Sequence, residues 1–455
     1  MHTRLLISLV VLLAAASACG DEPALTTTSD AATTTEASTT TQVSATTQES
    51  TTTTTTAPLP PDRGGDAGAE LPPEYAELVA VTEAVRGLEF LWEPELSIVS
   101  DEELARRVRA EIEEELDPAD LAIDEAFFEV LGLLDPSIDL LAAYTDLYAE
   151  QVAGFYDPDT GEMVVSSDAE LTAFEKMIVV HELVHALTDQ HFGFAAAMDE
   201  LVDAEQYHEA AALQALAEGD ATYFQIVYFQ QLSLVEQISA VDESLAADTS
   251  VLDSLPAWFA EDLSFPYDAG FKLVERIVAS EGIAGVDQAY RLPPTTTEQV
   301  IHPDTYFAFE PARDVALPDT PLAGYEVYEE GTLGEWNVDL LLLDGVSDGE
   351  AVIASSGWGG DAYRILWNGQ DVVFVMRLVG DTPADAAEFA SAVVDSLARR
   401  MAVGSPARDD AAGTATMIAA DYAFVGSDGA TVTVVAASDP AAGAEAADLV
   451  FVPAG

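Results

Sequence analysis

The chain has 455 residues, 49% of them hydrophobic, with 16 Lys and Arg against 82 Asp and Glu and a formal net charge of −66. A surface of that sign repels nucleic acid and other polyanions, so that class of partner is excluded, and adaptation to a salty medium is the simplest reason for the charge. The hydrophobic content is that of a globular body large enough for one or two cores.

Residues 1–20 read as an export signal, with a charged start at Arg4, an apolar run over 5–13 and small residues up to Cys19. The run is too short to span a bilayer as a stable helix, so it is expected to be a targeting piece outside the fold. Ala16-Ser17-Ala18-Cys19 resembles the lipobox of bacterial lipoproteins. Cys19 is the single cysteine and has no disulfide partner, so lipidation of Cys19 is expected to anchor an exported chain to the outer face of the membrane. Ordinary cleavage after Ala18 is the alternative. Residues 19–70 form a Thr-, Ser- and Ala-rich tract that cannot pack, a tether whose ends lie on the order of 40 Å apart.

Ser100-Asp101-Glu102-Glu103 has the capping-box pattern, and Leu104, Val108, Ile112 and Leu116 follow every four residues, which predicts a helix. Helical pattern continues over 124–151, interrupted at Asp135-Pro136. Gly154-Phe155-Tyr156 and Glu162-Met163-Val164-Val165 flank Asp157-Pro158-Asp159-Thr160-Gly161, a strand, tight turn and strand. The turn's glycine stands one place too early for an EF-hand calcium loop. Helical pattern resumes over 171–191 and 204–234, and a mixed region spans 264–307. Beyond it, 362–367 and 371–379 flank Asn368-Gly369, a hairpin signal. Thr382-Pro383 opens a helix with Phe389, Val393, Leu397 and Met401 on one face. The expected fold class is α+β: a mainly helical body over 71–322 with an edge hairpin, an α+β portion over 323–409, and a β-rich tail over 410–455.

His181-Glu182-Leu183-Val184-His185 places two imidazoles four residues apart, about 40° from one another on one face of a helix. Both can bind one metal ion; neutral imidazoles suit Zn2+, and Glu182 beside them can take a proton from a metal-bound water. The pair lies in an apolar helical stretch, where unliganded polar side chains would be costly. A catalytic zinc needs a third protein ligand and one open position. His191 follows His185 at the separation of the metzincin pattern, but Thr188 stands where that pattern has the glycine that breaks the helix, and a continuing helix carries His191 away. Glu205 and Glu209 lie near the polar start of the next helix, where carboxylates suit the dipole in any case. Glu218 shares a face with Ala211, Ala215 and Thr222, all small, and is the expected ligand. Asp220 points the opposite way, as a buried structural group or an outer partner of the site. Asp189 is read as either a ligand-orienting carboxylate or a residue at an exposed helix end.

The stretch from His181 to Asp189 is similar to the active-site helix of thermolysin-like gluzincin metallopeptidases. More closely, residues 181–192 together with Glu218-Gly219-Asp220-Ala221 resemble a largely uncharacterised group of bacterial zincins. That group carries a Gly-Phe-Tyr-Asp-Pro hairpin, matched by 154–158. It also carries a segment matched by Pro293, Pro294, Thr297, Glu298, Gln299, His302 and Pro303, and a Gly-Trp-Gly-Gly-Asp matched by 357–361. The resemblance implies zinc held by His181, His185 and Glu218, Glu182 as general base, an edge strand beside the cleft, and a His or Tyr donor to the oxyanion, for which His302 is the available histidine, with Tyr306 four residues on. The expected function is therefore an exported zinc metallopeptidase acting on a peptide or protein substrate. The alternatives are a non-enzymatic surface lipoprotein for adhesion or ligand binding, and a metzincin-type peptidase using His191.

Overall fold

A computed structural model of the chain describes residues 9–11, 73–158, 160–167, 171–409 and 413–451. Cys19, the lipobox and the 21–70 tract lie outside the described residues, as does Asp159 of the expected turn. Part of the apolar export run, expected to stand outside the fold, forms the short strand β1 (Leu9–Val11).

The body opens with α1 (Pro73–Arg86), β2 (Glu95–Val99) and α2 (Asp101–Glu115). Ser100 caps α2 by accepting from the Glu103 backbone at 3.3 Å, but the Glu103 carboxylate turns to Arg106 and Arg107, so half of the box forms. Leu104, Val108 and Ile112 are buried as their spacing predicts. The 124–151 pattern becomes α3 (Pro118–Val130) and α4 (Leu140–Gln151), split around Asp135-Pro136, where proline offers no backbone N–H. The hairpin follows as β3 (Val152–Asp157) and β4 (Glu162–Ser166), with Gly161 at φ 71° and its N–H bonded to the Asp157 carbonyl at 2.7 Å. The sheet order is β1-β3-β4-β2, antiparallel except for the parallel β2–β4 pair. The unpaired groups of the outer β3 edge are thus taken up by β1, which is why an apolar extended segment adds there.

The helical centre consists of α5 (Ala173–Phe192), α6 (Phe194–Asp203), α7 (Tyr207–Phe229), α8 (Leu234–Ser244), α9 (Ala257–Glu281), α10 (Ile283–Ala289), α11 (Thr297–Ile301) and α12 (Pro303–Ala308). The 204–234 pattern stops at Phe229, and Ser233 starts α8 with its own capping box. Helix α7 lies between α5 and α9. Its tightest crossing is glycine on glycine: a Cβ at Gly219 would sit 2.2 Å from the Gly270 carbonyl carbon and oxygen, and one at Gly270 would sit 1.9 Å from the Ala215 carbonyl. The small residues near Glu218 therefore serve close approach to α9 as well as to α5, where Ala221 packs with Val184.

The C-terminal part holds β5 (Glu326–Gly331), α13 (Gly334–Leu342), α14 (Asp348–Ser355), β6 (Trp358–Trp367), β7 (Val372–Gly380), α15 (Pro383–Arg400), β8 (Ala407–Asp409), β9 (Thr414–Ile418), β10 (Tyr422–Asp428), β11 (Thr431–Ala437) and α16 (Pro440–Val450). The strands form one sheet of order β5-β6-β7-β11-β10-β9-β8. The residues after 410, expected to be β-rich, enter the same sheet, with β11 paired in register against β7. Alternation explains it: Phe374, Met376, Val432 and Val434 line one buried face with residues of α15 and α3, while Val373, Val375 and Val435 line the other with residues of α16. Strands buried on both faces need both layers of cover. Phe127 of α3 meets Phe374 of β7 at 5.2 Å between ring centroids, so the helical body and the sheet share one core. The architecture is α+β.

Candidate metal centre

Helix α5 is strongly specified at both ends. Thr172 and Glu175 form a reciprocal capping box, and Gly193 ends the helix in the left-handed conformation at φ 64°. The helix runs without interruption through Thr188, whose hydroxyl bonds back to the carbonyls of Val184 and His185. His181 and His185 lie in its middle, with ring centroids 4.8 Å apart. From α7, a single oxygen of Glu218, Oε2, stands 3.1 Å from His181 Nε2 and 3.3 Å from His185 Nε2. Each of the three side chains offers a ligand atom within 4.8 Å of the others, and all three are buried. Bonds of about 2.1 Å around a tetrahedral ion put neighbouring ligand atoms about 3.4 Å apart, so the 3.1 and 3.3 Å contacts match that spacing. The buried His181-His185-Glu218 group can hold a metal ion.

The charges of the group are set by burial and by one another. Burial is the largest influence on His181 and leaves it below the usual imidazole range. Burial also opposes charge on His185, but the Glu218 carboxylate, with Glu182 behind it, outweighs burial and raises it. Burial alone would raise Glu218, yet the two imidazoles hold it at about 2. The two imidazoles thus hold Glu218 toward its ionised form. Glu182 is buried with no side-chain hydrogen bond to either carboxylate oxygen, and burial raises it to about 8 against the smaller opposing effect of the Tyr156 backbone. The Tyr156 backbone of β3 bears on Glu182, which puts the hairpin beside the centre. Neither Nδ1 atom of the two histidines has a hydrogen-bond partner.

The other candidates are distributed as follows. His191, at the last turn of α5, bonds through Nε2 to the Glu89 carbonyl at 2.8 Å, turned away from the triad. Glu205 is exposed in the turn before α7, at φ 57°. Asp189 is not at an exposed helix end: it accepts from the Tyr156 hydroxyl at 3.1 Å and from the Ala195 backbone at 3.1 Å, tying α5 to β3 and α6. Asp220 accepts from Arg86 Nε at 3.1 Å and from the Tyr290 hydroxyl at 3.1 Å, while Arg86 also holds Asp287 at 2.8 Å. This buried network braces α7 against α1, and its charge also reaches His185. His302 stands 2.9 Å from Glu335 at the start of α13; it is not among the groups with the largest effect on the triad, which are one another, Glu182, Gln225 and Asp220. Tyr306 donates to the Leu292 carbonyl at 3.0 Å.

Two neighbours of His181 were not singled out from the sequence. Tyr267 of α9 brings its ring centroid to 6.2 Å from that of His181, because the Gly219–Gly270 crossing carries α9 past Glu218; no local pattern signals such a crossing. Gln225, two turns after Glu218, bears on His181 and was legible in principle from the helical wheel. The Gly-Trp-Gly-Gly-Asp segment has a structural use: Asp361 accepts from the Leu333 and Gly334 backbones and from Trp358 Nε1, closing the start of α13.

A family described as a domain of unknown function (DUF8575) matches residues 324–447, which coincide with the seven-stranded sheet and its helices. No curated protein matches the chain. No solved structure matches it.

Proposed function

We propose that the protein is an exported zinc-dependent peptidase that hydrolyses peptide bonds at the His181-His185-Glu218 centre. Two imidazoles and one carboxylate are a donor set suited to Zn2+ with an open position. Zinc there supplies a Lewis acid that polarises a carbonyl and acidifies water. Glu182 takes the water proton on its carboxylate and passes it to the leaving nitrogen. Burial raises Glu182 in the metal-free group, and a cation bound beside it would favour the ionised carboxylate that accepts a proton. The observation that carries the reading is Glu182 itself: a carboxyl fully buried beside the triad, with no side-chain partner for either oxygen, is an expensive group for structure alone to keep. The antiparallel pairing of Leu9–Val11 on β3 supports an extended peptide as the substrate form, because that edge accepts a strand. Lipid attachment through Cys19 and a cell-surface location belong to the same proposal.

The test is a digest of a proteome-derived peptide library by the purified protein, with and without chelator, alongside Glu182→Gln. Cleavage lost on chelation and in Glu182→Gln, with zinc retained by that variant, is the expected result. Absence of cleavage by the zinc-loaded parent, or cleavage undiminished in Glu182→Gln, would remove the peptidase reading.

A further inference from the structure

Helix α8 buries one face and leaves a second, apolar face open. Ala240 and Ser244 are buried against the body, while Leu234, Val235, Ile238, Val241 and Leu245 are between 45% and 78% exposed. Leu234, Ile238, Val241 and Leu245 follow one another at steps of four, three and four residues, which gathers them within about 60° of arc on the helix. We infer that this stripe docks on the lipid surface of the membrane, with α8 lying along the bilayer plane and its apolar side chains in the uncharged acyl boundary.

The place where the chain behind Cys19 joins the body carries the choice of partner. The first helix of the body, α1, starts at Pro73, so the Thr-, Ser- and Ala-rich tract arrives there. The start of α1 adjoins α8. Glu74 accepts from the Leu171 backbone at 3.3 Å, the neighbouring Thr172 hydroxyl donates to Glu243 of α8 at 3.0 Å, and Tyr75 and Ala240 share one buried cluster. A lipid on Cys19 therefore holds the body by a point beside α8. The inference rests on that anchor, and it adds what a flexible tract cannot supply, a fixed orientation of the body on the bilayer.

A second copy of the chain is the competing occupant and fits less well. The charged residues of α8 are Glu236, Asp242 and Glu243, with no Lys or Arg in the helix, so two facing copies would set like charges against each other along the seam. A single helix of 11 residues also presents far less than the ~800 Å² per partner of a standard interface. Neutral lipid brings no opposing charge, and an interfacial helix is held in it by buried apolar area. With 11 residues α8 rises only about 16 Å, too short for the ~30 Å hydrocarbon core, so it lies on the bilayer and does not cross it.

Cys19 is the single cysteine and acylation consumes its thiol, so Ile238→Cys gives the acylated protein one thiol for a nitrobenzoxadiazole label. The acylated full chain is incorporated into phosphatidylcholine vesicles, and the Cys19→Ser/Ile238→Cys chain is mixed with an excess of the same vesicles. In the acylated protein the label is expected to shift to the blue, to be at least twofold brighter than one on the exposed Ser405→Cys, and to be quenched by nitroxide lipid. Adding Leu234→Ser/Val241→Ser/Leu245→Ser, with the melting temperature as the check on folding, is expected to remove all three effects. A label at position 238 that stays as in water on acylated, vesicle-bound protein overturns the inference. A blue shift in Cys19→Ser/Ile238→Cys that needs no vesicles and grows with protein concentration overturns it in favour of a second copy. If Cys19 of the parent itself takes the label, the anchor reading fails, and the Cys19→Ser arm decides docking separately: quenching by nitroxide lipid supports it and an unquenched label overturns it.

Discussion

Adding one methyl group at Gly219 tests how the centre is held. A Cβ there would lie 2.2 Å from the carbonyl carbon and oxygen of Gly270 and 2.7 Å from its Cα. Carbon contacts settle at roughly 3.5–4.0 Å, and these neighbours are helix backbone that cannot rotate away, so α7 and α9 must separate by about 1 Å or more. Overpacking costs about 1–3 kcal/mol even where side chains can adjust, and the rigid seam puts Gly219→Ala at about 3 kcal/mol. The better helix propensity of alanine returns about 1 kcal/mol, leaving a net loss of about 2 kcal/mol. Unfolding entropy of about 2.1 cal/mol/K per residue over a body of roughly 380 residues makes that a fall of about 2–3 °C in Tm. Because Glu218 adjoins the seam, opening it also shifts the carboxylate, and metal affinity should fall together with stability. Thermal melts of metal-free protein and a metal titration measure the two effects. Gly349→Ala in α14, where a Cβ meets nothing within 4 Å, is the control and should not destabilise. A Gly219→Ala protein with the parent's melting temperature and metal affinity would refute the reasoning.

Glu218→Ala should lower metal affinity at the triad by a large factor, whereas Glu205→Ala and His191→Ala should leave it nearly unchanged; metal titration of the three variants decides, and loss confined to His191→Ala would make the centre metzincin-like. Arg86→Met strands Asp220, which is fully buried, and should destabilise by about 3–5 kcal/mol in urea unfolding, with the Asp220→Asn partner change recovering part of it; a parent-like midpoint for Arg86→Met would contradict the network. Burial raises Asp262 from 3.8 to about 6, so the folded state binds its proton more tightly than the unfolded chain. The cost of ionising it is absent below about pH 4, accrues as pH rises toward 6 and is complete above that. Metal-free Asp262→Asn should therefore lose stability less steeply than the parent between pH 4 and 6, and equal slopes would count against it. Cys19→Ser should abolish acylation, and palmitate labelling that persists in that variant would rule out the anchor.

The local order of residues was enough to establish the helix that carries the two histidines: the apolar run and the four-residue histidine spacing act within one element. The same holds for the hairpin turns at Gly161 and Asn368-Gly369, where backbone chemistry at a few positions decides the shape. It holds less well for Glu218. Its wheel position narrowed the choice, but Glu218 reaches the histidines because α7 is pinned on the other side, by Gly219 against Gly270 and by Asp220 on Arg86. Those contacts join residues 51 and 134 positions apart in the chain, and no period in the sequence records them. The β-rich character of the residues after 410 was legible, but that β11 pairs with β7 was not, because no local pattern names a strand's partner. The sequence offers His302 as the available oxyanion donor, and nothing local records that α13 brings Glu335 to it. Periodicity determines which face of an element is apolar or polar; which faces meet is decided by the burial of the whole chain, since each pairing must cover apolar surface on both partners at once.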